Sequence, residues 1–311
     1  MTMHVLTQNP GAYAAGSPLL KTTPQEQLLV IDPETFRTHF NQKPYLLPHR
    51  LGDHPLFALP RLIELAKGLP AEYVEYNAGN IPVSIDSRLT PRNGLSVEET
   101  IRRIEEHCSW MVMKRVEHDT EYNALLNRIL DEVQAHSEPL EPGMFDRAGA
   151  IFISSPGSVT PYHLDAEYNF LFQLRGAKTI SVFDANDRSI LSEEELEERA
   201  ALAQVHRNMV FKDEYQKKAM VFELTTGFTL HVPATAPHWV KNGPNVSVSF
   251  SAGFSTRLEH RLERIRRFNR GLRRLGLRPA PVGRCGFCDG VKHQANRAWA
   301  KVRRLFGAKD A

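Results

Sequence analysis

No apolar run in this sequence approaches the roughly 20 residues needed to span a bilayer, so a membrane-spanning helix is not expected. The opening MTMHVLTQNPGAYAAGSPLL lacks a basic start followed by an apolar stretch, and it does not read as a signal peptide. Cysteine is scarce. Cys108, Cys285 and Cys288 are the only three, too few for a disulfide framework, and a reducing cytoplasm is the expected setting. Internal repeats and low-complexity tracts are missing. What remains is ordinary: 41% hydrophobic and 24% charged residues in 311, enough for a sizeable core and one large or two modest domains.

The net charge of +3 hides an asymmetry. From Arg257 onward there are 16 Lys and Arg against 4 Asp and Glu, a net of +12, which leaves −9 on the rest of the chain. A basic segment is attached to an acidic body. Its candidate contacts are nucleic acid, an acidic partner surface, or the acidic body itself.

Residues 1–27 are polar and rich in Gly, Pro and Thr, and read as a loose arm. A mixed α/β region follows over 28–147. It holds a strand-like LLVI run before a short helix, then PLFALPRLIELAKGLP with helical spacing and a Gly-Leu-Pro stop. SVEETIRRIEEH is a helix capped by Ser96, SWMVMKRV a strand, and DTEYNALLNRILDEVQAHS an amphipathic helix. From Ala148 to about residue 256 short apolar and β-branched runs alternate with turns, the pattern of an all-β sandwich or barrel. One helix interrupts it, opened by a capping box from Ser192 to Glu195. Residues 257–311 return to helix, with Leu258, Leu262, Ile265, Phe268, Leu272 and Leu275 on one stripe. The CGFC stretch falls in a predicted loop. A structural zinc needs four ligands, only His293 lies near the two cysteines, and no thioredoxin-like context surrounds them, so two free thiols are expected.

The chemistry concentrates in TPYHLDAEYNFLFQLRGAK, residues 160–178. A core does not bury His, Asp, Asn and Lys for packing alone, because each loses hydration and needs a partner. Residues two apart on a strand share a face, so His163 and Asp165 point the same way and can bind one divalent metal. A second histidine would complete a two-histidine, one-carboxylate set with open positions, which suits Fe(II) oxygenases. His231 and His238, both in TLHVPATAPHWV, are the candidates. Asn169 has the same parity as His163. Lys178 opens the next strand and can bind a carboxylate as a point charge, and Thr160 adds a hydroxyl donor. These groups suit a small dicarboxylic acid that chelates iron at one end and meets Lys178 at the other, as 2-oxoglutarate does.

With Thr160, Pro161, His163, Asp165, Asn169 and Lys178 at matching spacing, the stretch resembles the jumonji-C branch of the cupin-fold oxygenases. The nearest likeness is to the asparaginyl hydroxylase that inhibits hypoxia-inducible factor and its bacterial cupin-like relatives. The resemblance covers residues 148–254. It implies an α+β fold with a double-stranded β-helix, or jelly-roll, core between helical flanks. It selects His238 as the second histidine ligand and leaves His231 to the preceding strand. It further implies Fe(II) on His163, Asp165 and His238, 2-oxoglutarate held by Thr160 and Lys178 with Asn169 near the metal, and a homodimer formed through the C-terminal helices. The substrate class it implies is a protein, peptide or other bulky molecule, hydroxylated or demethylated. Two departures stand out: Ser249 replaces a family asparagine, and no cosubstrate-binding tyrosine occurs on SWMVMKRV, where Val112 and Lys114 are candidates to face inward. The competing expectation is a non-catalytic, metal-binding cupin regulator whose basic tail contacts nucleic acid or another partner.

Overall fold

The computed structural model describes residues 27–86, 89–202 and 208–305. The anticipated N-terminal arm, residues 1–27, lies outside them except for Gln27. Asp32 caps α1 (Pro33–His39) by accepting from the Thr35 amide at 2.8 Å, and β1 (Tyr45–Pro48) follows. After α2 (Leu59–Gly68) and β2 (Val74–Ala78), the reciprocal Ser96–Glu99 capping box opens α3 (Val97–Arg102). Then come β3 (Ser109–Lys114) and the amphipathic α4 (Thr120–Ser137).

The β-rich half comprises β4 (Met144–Ser154), β5 (Val159–His163), β6 (Tyr168–Arg175) and β7 (Ala177–Val182). After α5 (Glu193–Leu202) it continues through β8 (Met220–Thr225), β9 (Phe228–Val232), β10 (His238–Asn242) and β11 (Ser247–Thr256). The expected Ser192–Glu195 box is formed: the Ser192 amide donates to Glu195 Oε2 at 2.8 Å, and the Glu195 amide donates to Ser192 Oγ at 3.2 Å. Two helices, α6 (Arg257–Arg274) and α7 (Gly286–Leu305), complete the described chain.

All strand pairing is antiparallel, in a seven-stranded sheet ordered β1-β9-β6-β11-β4-β3-β2 and a four-stranded sheet ordered β5-β10-β7-β8. Leu171 and Leu230 of the larger sheet pack with Ile180, Phe222, Leu224 and Val240 of the smaller one. The two sheets therefore face each other as a jelly-roll core with helical flanks, the expected α+β class. The opposite face of the larger sheet, with Phe170, Phe172, Phe250 and Phe254, packs under α1, α2 and α4. This double burial explains why YNFLFQL is nearly continuously apolar although its pairing is antiparallel. The strands β1, β2 and β3 precede residue 148 yet extend the same sheet.

Gly176 makes the β6–β7 turn possible. Its φ is +72°, and a Cβ there would lie 2.4 Å from the Val246 carbonyl oxygen, so only glycine fits without a backbone shift. Among the described residues, no helix is long and apolar enough to cross a membrane.

Three local expectations need correction. The LLVI run forms no strand, only an isolated bridge between Leu29 and His49. The predicted CGFC loop is a helix start: α7 begins at Gly286 and the Cys288 amide donates to Cys285 Sγ at 3.2 Å. Cys285 and Cys288 are joined as a disulfide rather than free, because one helical turn brings their Cα atoms to 5.2 Å, inside the bonding range. The expected α6 stripe is present and is covered in its middle. Ile265 is buried, but Leu258 is 44% and Leu275 77% exposed.

Two buried histidines weaken the fold in acid. His231, stacked among Phe40, Tyr45 and Phe170, is pushed down to about 3 by burial. Burial likewise pushes His49 down to about 4. Both stay neutral in the folded chain while the unfolded chain takes up protons below about 6.5. The contribution of these two histidines is therefore complete above pH 6.5 and is lost as the pH drops. Each histidine should cost about 2 kcal/mol at pH 5, seen as a lower urea midpoint at pH 5 than at pH 7.5. A His49→Gln variant should show a shallower fall between those two pH values.

Candidate metal centre in the jelly roll

The pairing of β10 with its neighbours builds the site. His238 lies opposite His163 on β5 and opposite Val182 on β7, and Asn242 lies opposite Lys178. The β5–β10 register shifts between His238 and Val240, a bulge of the kind that re-aims a side chain. Asp165 follows β5 by two residues, and its carbonyl accepts from the Thr235 amide at 2.8 Å, which ties it to the turn before β10.

Asp165 Oδ2 lies 3.9 Å from His163 Nε2 and 3.8 Å from His238 Nε2, and the imidazole centroids are 4.2 Å apart. Ligand atoms of all three come within 4.8 Å of one another, the only such His/Cys/Asp/Glu group among the described residues. Atoms bound to one ion at about 2.0–2.2 Å must sit roughly 3–4 Å apart, so the spacing fits a single divalent cation.

The hydrogen bonds settle which nitrogen faces the centre. His163 Nδ1 is 2.7 Å from the Pro161 carbonyl oxygen, and His238 Nδ1 is 3.0 Å from that of Ala236. A carbonyl only accepts, so each Nδ1 carries the proton and each Nε2 keeps its lone pair for the centre. This is the arrangement that holds a metal-binding imidazole in one tautomer and orientation. Both rings are buried and Asp165 is partly so.

Below this centre, strand alternation lines the barrel. Asn169 and Gln173 alternate with the outward Phe170 and Phe172 on β6. The Asn169 side chain accepts from Ser251 Oγ at 2.8 Å. Gln173 accepts from Ser249 Oγ at 2.6 Å and donates to Ser247 Oγ at 2.9 Å. Thr160 is half-buried opposite Val240. Lys178 is 4% exposed, and burial alone pushes its ammonium down to about 7. No described carboxylate forms an ion pair with it.

The fold thus brings Thr160, His163, Asp165, Asn169, Lys178 and His238 to one barrel. It leaves His231 on the other face of the larger sheet, packed in the helical layer. Val112 is buried with inward parity, whereas Lys114 reaches the rim and pairs with Glu75 at 2.8 Å. Sequence reasoning passed over Gln173 and Asn242. Parity with Asn169 marks Gln173 and parity with His238 marks Asn242.

Comparison with known proteins adds a family. A domain model described as "Cupin-like domain" matches residues 87–255, and no curated protein matches the chain in sequence. Among solved structures, the chain is similar to the X-ray structure of E. coli YcfD, with 17% identity and a TM-score of 0.49, over 84% of this chain and 63% of that one. A second structure, of YcfD as a ribosomal oxygenase from E. coli with cobalt and 2-oxoglutarate, gives 17% identity and a TM-score of 0.45, over 88% and 68%. The chain thus spans a little under two thirds of the length of the first of these. The family match covers just over half of the 311 residues, including every strand from β4 to β10, and the chain belongs to the cupin-like family.

Proposed function

We propose that this protein is an Fe(II)- and 2-oxoglutarate-dependent oxygenase, with residues 148–256 as its catalytic core between the flanks 28–147 and 257–311. The observation that carries the reading is the convergence of His163 Nε2, His238 Nε2 and Asp165 Oδ2, with both Nδ1 protons committed to carbonyls. Two imidazoles and one carboxylate on one side of an ion leave coordination positions open for chemistry. Bound together, iron and 2-oxoglutarate supply oxygen activation, with oxidative decarboxylation to succinate coupled to oxidation of a substrate C–H bond.

The chain's own part is binding and orientation. His163, Asp165 and His238 hold the metal. Asn169, steadied by Ser251, presents its amide beside that centre. Lys178 holds the far carboxylate with Thr160 beside it, and the apolar inner residues Leu171, Ile180, Val240 and Leu224 exclude water around the acid's methylenes. The resemblance of residues 160–178 to jumonji-C hydroxylases makes a protein, peptide or other bulky molecule the substrate class, and the scarcity of cysteine makes cytoplasm the setting.

The rival reading, a metal-binding regulator with a nucleic-acid-binding tail, is weakened by how α6 uses its charge. Arg270 binds Glu198, and Arg273 binds Glu194 and Glu197, both on α5. Those arginines face the acidic body rather than a free surface.

Anaerobic addition of 2-oxoglutarate to the Fe(II)-loaded protein should produce the visible charge-transfer band of a chelated 2-oxo acid. His163→Ala and Asp165→Ala should abolish both the band and succinate formation, and turnover retained in both variants would sink the metal assignment. Lys178→Met should act in two opposite directions. It removes a buried cation without an acid partner, so thermal stability holds or rises. It also removes a charge-assisted contact, so the Kd for 2-oxoglutarate rises about 10- to 100-fold. In the wild-type protein that affinity should fall about tenfold per pH unit above pH 7, because only the protonated lysine attracts the carboxylate and burial has brought its deprotonation down to about 7. Isothermal titration from pH 6.5 to 8.5 reads this slope, which Lys178→Met should flatten.

A further inference from the structure

The CGFC stretch takes no part in the metal centre, and the fold places it where thiol chemistry is favoured. Cys285 immediately precedes α7, and its carbonyl accepts the first helical bond, from the Asp289 amide at 2.9 Å. Cys285 therefore holds the N-cap position. Its sulfur accepts from the Cys288 amide at 3.2 Å, as a capping side chain accepts from the third amide of a helix. Cys288 stands on that same first turn and is bonded to Cys285 as a disulfide.

Two observations argue that this bond is not a structural staple. Its ends are separated by only 3 in sequence. The entropy that a disulfide removes from the unfolded chain grows with loop length, so this one removes little. The turn is also held without it. From α7, Asp289 Oδ2 accepts from the Gly283 amide at 2.7 Å, and Lys292 Nζ donates to the Ala280 carbonyl at 2.8 Å. Both of these side chains are buried. From α6, the Asn269 side chain donates to the same Ala280 carbonyl at 3.3 Å. The loop before Cys285 is thus pinned to both helices, and Cys285 keeps its N-cap position when the disulfide opens.

The surroundings favour a thiolate and leave it reachable. In the reduced pair, a Cys285 thiolate faces the positive end of the helix dipole and the Cys288 N–H, a setting that activates thiols. The segment from Arg257 onward is strongly basic, with Arg284 beside Cys285 in sequence. Asp289, the acid of the first turn, has the Lys292 ammonium 3.8 Å away. Both cysteines are partly exposed. A Cβ on Gly286 would meet nothing within 4 Å, and Phe287 is 84% exposed, so the turn between the sulfurs is open to an incoming reagent.

We propose that Cys285 and Cys288 form a thiol–disulfide exchange site, an activity separate from the metal centre, with Cys285 as the nucleophile and Cys288 as the resolving thiol. The co-substrate class is a low-molecular-weight thiol and its disulfide. The Cys285 thiolate attacks one sulfur of an external disulfide RSSR. A Cys285–SR bond forms, the RS–SR bond breaks, and RS⁻ leaves and takes a proton from solvent. Cys288 then gives its proton to solvent and attacks Cys285 Sγ. The Cys285–Cys288 bond forms, and the second RS⁻ leaves and is protonated. The pair gives up two electrons and two protons, and RSSR becomes two RSH. Run backwards through the same mixed disulfide, two RSH reduce the pair.

Cys108 is an internal control for the test. It is free and exposed, follows Glu105 and Glu106 in sequence, and lies between α3 and β3 rather than at a helix start. The fully reduced, full-length protein is given a limiting dose of iodoacetamide and read by peptide mass spectrometry. Cys285 should be modified about tenfold faster than Cys108 or Cys288, although Cys108 is the more exposed. Separately, protein equilibrated with mixtures of reduced and oxidised glutathione should pass between dithiol and disulfide and reach the same fraction from either side. With oxidised glutathione, Cys288→Ser should accumulate a mixed disulfide on Cys285, whereas Cys285→Ser should accumulate none on Cys288 in the same time. The proposal is overturned if Cys285 reacts no faster than Cys108 or Cys288. It is equally overturned if the pair stays a disulfide in excess reduced glutathione, or stays a dithiol in excess oxidised glutathione. The first two measurements use the wild-type chain, so they decide the matter even if either variant folds poorly. None of them involves iron or 2-oxoglutarate, so failure of the oxygenase reading and failure of this proposal are separate results.

Discussion

The pairing of β5 with β10 is the constraint on which the site depends. It sets His163 directly opposite His238, and the carbonyls of Pro161 and Ala236, each two residues before its histidine, take the Nδ1 protons. Each ring is therefore oriented by its own strand's backbone, so a bare strand pair holds the two lone pairs in place. Asp165 needs a different support because β5 has ended before it. Its carbonyl bond to Thr235 supplies one. A shift of one residue in the β5–β10 register would turn one imidazole outward, since strand faces alternate with period two.

The same ladder carries the site's polarity down the barrel. From His238 the inward positions of β10 run through Val240 to Asn242, and those of β7 from Val182 through Ile180 to Lys178. Polar ends with an apolar middle are an unusual pattern for a packed core and a natural one for a short amphiphile with charged termini. Leaving a lysine without an acid partner inside a jelly roll is costly, which is why its ammonium is depressed so far. Hydrophobic packing alone would not select that residue, because Met or Leu would fill the same volume.

Much of this was legible in the sequence, for identifiable reasons. His163 and Asp165 stood out in the sequence because their two-residue spacing puts both on one face of an extended segment, and the structure does bring them together with His238. Choosing His238 over His231 required the family resemblance, since both sit on strands flanking one turn. The structure supplies the physical distinction: β9 turns His231 into the aromatic layer under α1, while β10 turns His238 inward. The N-cap at Ser96 and the capping box at Ser192 were readable because they are local. The CGFC helix start was not, since two glycines and the preceding Pro-rich run disguise it.

The charge asymmetry resolves in part within the molecule. Glu197 is buried on α5, and Arg273 of α6 lies 2.6 Å from it. The Glu197 side chain is almost fully enclosed, so this contact is made at the α5–α6 seam itself rather than out in solvent. The bond therefore fixes α6 against α5 more firmly than a surface pair would. The Arg199 side chain of α5 in turn binds the Asn208 carbonyl, the Asn208 side chain donates to the Ile85 carbonyl at 2.9 Å, and the Met209 amide donates to Tyr162 at 2.8 Å. Tyr162 precedes His163, and Asn208 bridges to His163 itself. A continuous set of contacts thus runs from the basic C-terminal helix to the strand that carries His163. The +12 segment acts at least partly as an internal brace: its arginines hold the acidic helix whose end supports the free edge of β5.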